Sequence, residues 1–255
     1  MSNVEPDRFS PLVLARAAGV LSLIGIVSGA FDIGYVRSTL IVAGDASATV
    51  HNILAHETLF RAGFAAHLLL LLCNIPGEII SFILFRRVNL VFAATAMGCG
   101  LVGTAIEGLD MLNAYVPLKL AAESSALGAF NPLQLQALSY ISVQLQDAGL
   151  LISFVFYGLD EIVAGFLIFR SRFLPRILGI LLGLSGLCYF SHGFLSFLAP
   201  TLDARLYPYI LFPCLPGEAS ISLWLAIMGL NVAKWREWAS QPWNGVAAVT
   251  HSGQR

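Results

Sequence analysis

The chain has 255 residues, 57% of them hydrophobic and 11% charged, with 14 Lys and Arg against 15 Asp and Glu. A soluble domain carries about 25% charged residues. A deficit of that size along the whole length excludes a basic nucleic-acid face, an acidic tail and a disordered polar tract, and points to a polytopic membrane protein.

A bilayer core of about 30 Å takes roughly 20 apolar residues per helix. Six segments qualify: 12–34, 60–85, 90–112, 148–169, 173–198 and 210–232. The first is longer than the apolar part of a cleaved signal peptide, about 7–15 residues, and is read as retained. Asp45 before an alanine-rich run is an N-cap, so the outer segment 37–59 contains a short interfacial helix. Asn131-Pro132 starts another helix, and the amphipathic stretch 133–146 extends span four above the membrane. Pro175 falls in the first turn of span five, while Pro213 and Pro216 break the entry to span six. The expected fold is all-α: a six-helix transmembrane bundle with short outer interfacial helices, a single domain over 1–240 and a cytoplasmic tail over 241–255.

Charge sets the orientation. Arg8, Arg16, Arg86, Arg87, Arg170, Arg172, Arg176, Lys234, Arg236 and Arg255 fall at one face, against Arg37, Arg61, Lys119 and Arg205 at the other. The positive-inside rule then places both termini in the cytoplasm of a cell bounded by this membrane. Trp235, Trp238 and Trp243 beside Lys234 and Arg236 read as an interfacial aromatic belt. Cys73, Cys99, Cys188 and Cys214 have no CxxC spacing and read as small packing residues.

Polar residues inside the spans carry the functional expectation. An acid at the bilayer centre costs about 2.5–3.5 kcal/mol, yet Glu78, Glu107, Asp110, Asp160, Glu161 and Glu218 fall within or near the spans, with Asp32 and Asp147 at outer helix ends. They keep helical spacing: His67, Asn74 and Glu78 share one face, as do Ser185, Tyr189, His192 and Ser196, Thr104 with Glu107 and Asp110, Asp147 with Glu161, Ser28 with Asp32, and Glu218 with Ser222. Six inward stripes predict a shared polar interior, either one long cavity or two stacked layers. At 1.5 Å per residue, Glu78 and Glu161 lie roughly 12–14 Å in from the cytoplasmic edge, with Glu107, His192 and Glu218 in the outer half.

No phosphate loop, dinucleotide fingerprint, zinc-protease motif, nucleophile elbow or aspartate-rich diphosphate motif is present. Pro-Gly-Glu occurs twice, at 76–78 and 216–218, and Phe-x-x-Phe-Arg twice, at 82–86 and 166–170, a weak hint of repeated hairpins. Arg16-Ala-Ala-Gly, the stretch from Val36 to Thr49, Asn52-Ile-Leu, Leu59-Phe-Arg-Ala-Gly63 and the run from Phe169 to Gly179 together resemble a bacterial membrane family, domain-of-unknown-function family 4386. The resemblance implies a six-helix integral membrane protein of the bacterial plasma membrane and supplies no reaction. That family is typically apolar where this chain has Asp160-Glu161, and near Glu78.

The leading expectation is a membrane-embedded enzyme using buried carboxylates for acid–base chemistry on a lipidic, isoprenoid-like substrate, by analogy with small membrane-bound terpene cyclases. Glu107, Asp110, Asp160, Glu161 and Glu78 are its candidate acids and bases. His67, Asn74, Asp147, Tyr157, Tyr189, His192 and Glu218 are candidates for substrate binding or proton relay. The alternative is a proton- or cation-coupled transporter of a small molecule using the same stripes, and the third reading a structural or signalling membrane protein. No metal ligands and no cofactor are expected, with magnesium left open. The partners are the lipid bilayer and a lipidic or isoprenoid small molecule, not nucleic acid, and the oligomeric state is not indicated.

Overall fold

The computed structural model describes residues 10–122, 128 and 130–240, so that Arg8, Trp243, Arg255 and the tail from 241 lie outside the described residues. Six helices are long and apolar enough to cross a membrane: Pro11–Leu40, Glu57–Phe85, Leu90–Ala122, Pro132–Ser171, Arg176–Leu198 and Tyr209–Ile227, called here the first to sixth spans. No strand occurs among the described residues.

Several helices outrun their apolar windows, because a helix needs periodicity and caps rather than unbroken hydrophobicity. The fourth span begins at Pro132 under a capping box in which the Asn131 side chain accepts from Gln134 N and the Gln134 side chain from Asn131 N. The third continues to Ala122. The first does not stop at residue 34: it widens into a π-helix over Ala30–Arg37 and ends with Ser38–Leu40. The sixth is shorter than expected, a helix over Cys214–Ile227 entered by a 3-10 turn over Tyr209–Leu211 and ended by Gly229 at φ 70°. Pro213 thus stands at the break before the helix, whereas Pro216, expected to interrupt it too, lies within its first turn, and residues 228–231 fall beyond its last helical turn. Pro175 is the N-cap of the fifth span, not part of its first turn.

Each span packs on its neighbour in the chain, and the sixth returns to the first, closing a ring of six antiparallel helices. Glycines set the close approaches. A Cβ built at Gly165 would fall 2.5 Å from Gly179 O, and one at Gly158 2.6 Å from Gly186 O, so the fourth and fifth spans touch backbone to backbone. Gly19 brings the first span equally near the sixth at Ser222 and Ala226. Small residues at such crossings are how helices gain contact where lipid removes the hydrophobic driving force. Large apolar side chains such as Val27, Leu72, Leu109, Leu112 and Ile227 face outward and remain exposed, as a lipid-facing wall requires.

The two ends differ. At the basic end the rings of Phe85 and Phe173 stack with centroids 5.4 Å apart, and Asn231 N donates to Phe173 O. A last helix, Val232–Ser240, turns back under the bundle. Trp235 is buried and its indole donates to Leu84 O at 3.1 Å, while that of Trp238 donates to Ser171 O at 2.7 Å. Trp235 is therefore packed into the bundle and not at a lipid interface, while Trp238 is half-buried. They satisfy carbonyls orphaned at the ends of the second and fourth spans. At the far end, Asp45 caps helix Ala46–Ala55 by accepting from Ala48 N at 2.8 Å, as its position before the alanine run predicts. That helix lays Ile53 into a core with Val36, Leu40, Phe60, Leu118 and Val143.

Candidate functional site

The polar stripes turn into the ring, and they gather in separate groups. The first is a chain of four side chains from four helices. Asp32, on the π-helical turn of the first span, places Oδ2 2.8 Å from His67 Nδ1 on the second. His67 Nε2 lies 3.0 Å from Glu107 Oε1 on the third, and the Tyr157 hydroxyl of the fourth donates to Glu107 Oε2 at 2.7 Å. Thr104 Oγ1, 3.2 Å from Tyr157 Oη, and the Asn74 side chain complete the surround. Asp32, His67 and Glu107 are only 5%, 2% and 5% exposed, so water does not carry these contacts.

Donor counting gives this chain its chemistry. Imidazole in its neutral form has one donor nitrogen and one acceptor, and carboxylates only accept. With both ring nitrogens facing carboxyl oxygens, either His67 carries two protons or one of the acids carries one. The chain therefore holds an extra proton whose position can change without moving any heavy atom far. The π-helix is what aims Asp32. Inserting wider turns rotates the side chains beyond residue 30 relative to a regular helix, and such bulges recur at functional sites. Gly63 then leaves the space: a Cβ there would fall 2.6 Å from Asp32 Oδ1.

Beside Asp32 a cavity of about 10 Å3, room for roughly one water, is lined by Asp32, Arg37, Phe60, Phe64, Met111, Ala114 and Gln146. Above it Arg37 reaches across the ring to pair with Asp147. Asp110 accepts from Asn113 Nδ2 at 2.7 Å and fills the notch left by Gly149, where a Cβ would meet its Oδ1 at 2.6 Å.

Nearer the basic end lies a second group. Glu78 sits in a notch at Gly100 and meets the Asp160 carboxyl across the ring. Glu161 faces Glu218 of the sixth span, whose Oε1 accepts from Tyr189 Oη at 2.6 Å. A third, smaller group lies toward the far end. His192 Nδ1 is 2.7 Å from Asp203 Oδ1 on helix Pro200–Leu206, and the His192 ring stacks on Tyr207 at 5.8 Å.

The twelve residues singled out from sequence are thus all at least partly buried, Asp147 least so with a side chain 45% exposed, but their grouping is different. Glu107 joins His67 and Tyr157 rather than Asp110. Asp160 and Glu161, about 100° apart on their helix, turn to different partners. The polar interior is layered, with no single line joining all the stripes. Sequence reasoning left Asp32 and Arg37 at a helix end and did not single out Asp203. Asp32 carried a usable signal, its i, i+4 pairing with Ser28, since both are buried. Asp203 carried none. Among the described residues no three His, Cys, Asp or Glu side chains converge on a point that could hold a metal ion.

A family described as Domain of unknown function (DUF4386) matches residues 17–229. The chain belongs to this family. Its six apolar helices make this member a multi-pass membrane protein. No curated protein and no solved structure matches the chain.

Proposed function

We propose that this family member is a proton-coupled transporter of a small solute, seated in the bacterial plasma membrane with both termini in the cytoplasm. The observation that carries the reading is the unbroken series Asp32, His67, Glu107, Tyr157. Proton transfer needs donor and acceptor atoms about 2.6–3.2 Å apart, and its three contacts are 2.8, 3.0 and 2.7 Å. Ionisable chains of this kind inside a membrane are the usual material of proton relays. The water-sized cavity at Asp32 supports entry of the proton from the far end.

The same acids would also suit an enzyme acting on an isoprenoid, with the aromatic ring of Tyr157 beside a developing cation. An acid catalyst must present its proton to the substrate. Glu107 has one oxygen engaged by His67 and the other by Tyr157, an arrangement that favours passing a proton along over delivering it to a hydrocarbon.

The reading is tested on proteoliposomes adsorbed to a solid-supported membrane. A pH jump without added solute is expected to give a transient current in wild type as the buried chain takes up or releases a proton. Glu107→Gln and His67→Ala should each reduce that current about tenfold or more. A wild type indistinguishable from empty liposomes, or unchanged currents in both variants, overturns the proposal. Altered cellular lipids in Glu107→Gln with no wild-type current would instead favour the enzyme.

A further inference from the structure

Arg37 is a cation with more donors than partners. Its side chain is 9% exposed, and among the described residues it hydrogen-bonds only to Asp147, through Nη2. A guanidinium carries five N–H donors in a planar fork that can hold a carboxylate by two parallel bonds. The cavity beside Arg37 contains a second polar group in the same condition. Gln146, one residue before Asp147 on the fourth span, lines it and is 7% exposed, yet among the described residues its side-chain amide makes no hydrogen bond. Buried polar side chains are nearly always paired. An open amide beside a partly used guanidinium, at a cavity, calls for an occupant.

The chemistry of that occupant follows from what Arg37 already holds. Asp147 is a carboxylate whose side chain is 45% exposed, so the group that neutralises Arg37 is within reach of solution. The other acids nearby have partners of their own, Asp32 in His67 and Asp110 in Asn113. Exchanging the Asp147 carboxylate for another leaves the charge at Arg37 unchanged and releases Asp147 to water. Gln146 then adds N–H donors that Asp147 does not use. The remaining walls, Phe60, Phe64 and Met111, are apolar. At about 10 Å3 the cavity takes one small polar end, and those walls leave room only for a short tail.

We infer that Arg37 and Gln146 bind the carboxylate of a short-chain monocarboxylate, which displaces Asp147 and lays its tail against Phe60, Phe64 and Met111. The inference names the solute class of the proposed transporter, and rests on that reading for transport though not for binding. Asp32 lines the same cavity and begins the chain through His67 to Glu107. Solute and proton therefore meet at one place. An anion beside Asp32 is held more firmly when that chain carries its extra proton, by charge attraction alone.

The probes are sodium propionate, propionamide and propylammonium chloride, added at equal ionic strength to purified full-length protein in detergent. Propionate is expected to raise the Tm of wild type saturably by several degrees, and the amide and the ammonium salt to raise it little. Equilibrium dialysis with radiolabelled propionate measures the same binding without requiring any variant to fold. Gln146→Leu should weaken binding about tenfold, and Arg37→Gln should abolish it. Asp147→Asn removes the competitor and should tighten binding about tenfold, whereas a change that merely loosens the fold weakens it. Octanoate should displace the label at least about tenfold less well than propionate; equal or better displacement would assign the site to a lipid-derived acid and overturn the solute class. No saturable propionate binding by wild type, or binding retained in a folded Arg37→Gln, overturns the site. Propionate binding without a pH-jump current removes the proton reading and leaves this site standing, and a pH-jump current without propionate binding does the reverse.

Discussion

Arg37 and Asp147 show how far one contact depends on where its two ends lie. The guanidinium side chain is 9% exposed and the carboxylate side chain 45%. Removing the acid leaves a nearly buried cation with Asp110 at longer range, whereas removing the base leaves an acid that water can reach. Breaking a buried pair typically costs about 3–5 kcal/mol and an exposed one about 0–1 kcal/mol. Asp147→Ala is therefore expected to destabilise more than Arg37→Ala, the first toward the buried figure and the second near the exposed one. Melting of both variants in detergent checks the order, and equal losses would sink it. This asymmetry was not legible in the sequence, where Arg37 counts as one of four basic residues at the far face. Composition shows that an acid is embedded, and spacing shows which way it turns. The partner is decided by the facing helix, which is why His67 and Glu107 were recognisable as candidates but their shared contact with Asp32 was not.

At the level of helices, two kinds of glycine notch separate structural from polar packing. Gly165 and Gly158 meet backbone atoms of the fifth span, while Gly149 and Gly100 meet the carboxylate ends of Asp110 and Glu78. Backbone cannot step aside, but the end of an acidic side chain can rotate. Overpacking a close contact costs typically about 1–3 kcal/mol. Gly165→Ala should fall in that range and lower Tm by several degrees, whereas Gly149→Ala should cost less than about 1 kcal/mol while displacing Asp110 from its notch. Equal Tm losses would show that the two notches are alike. The six helices themselves were legible because apolar length and caps suffice to define them. The first span's π-helical end was not, since nothing between Ala30 and Arg37 marks a change of hydrogen-bond spacing: those turns are stabilised by the tertiary contacts of Asp32 and Arg37. The shortened sixth span has a local cause, with Pro213 at its start and Gly229 beyond its end.

For the whole molecule, ring closure gathers most of the basic residues at one end, against Arg37, Arg61, Lys119 and Arg205 at the other. Phe85 on Phe173, Asn231 on the carbonyl of Phe173, and Trp235 on that of Leu84 hold the connections after the second, fourth and sixth spans together. Arg86, Arg87, Arg170, Arg172 and Lys234 therefore share one surface instead of being scattered. A single such surface strengthens the positive-inside argument, because it makes the basic loops one end of a rigid bundle. In a background with the four native cysteines replaced by serine, Arg87→Cys and Ala43→Cys probe the two ends at exposed loop positions. Intact cells treated with a membrane-impermeant maleimide should label Ala43→Cys and spare Arg87→Cys until the membrane is opened. The reverse pattern would invert the protein and place the Asp32 end of the buried chain at the cytoplasmic side.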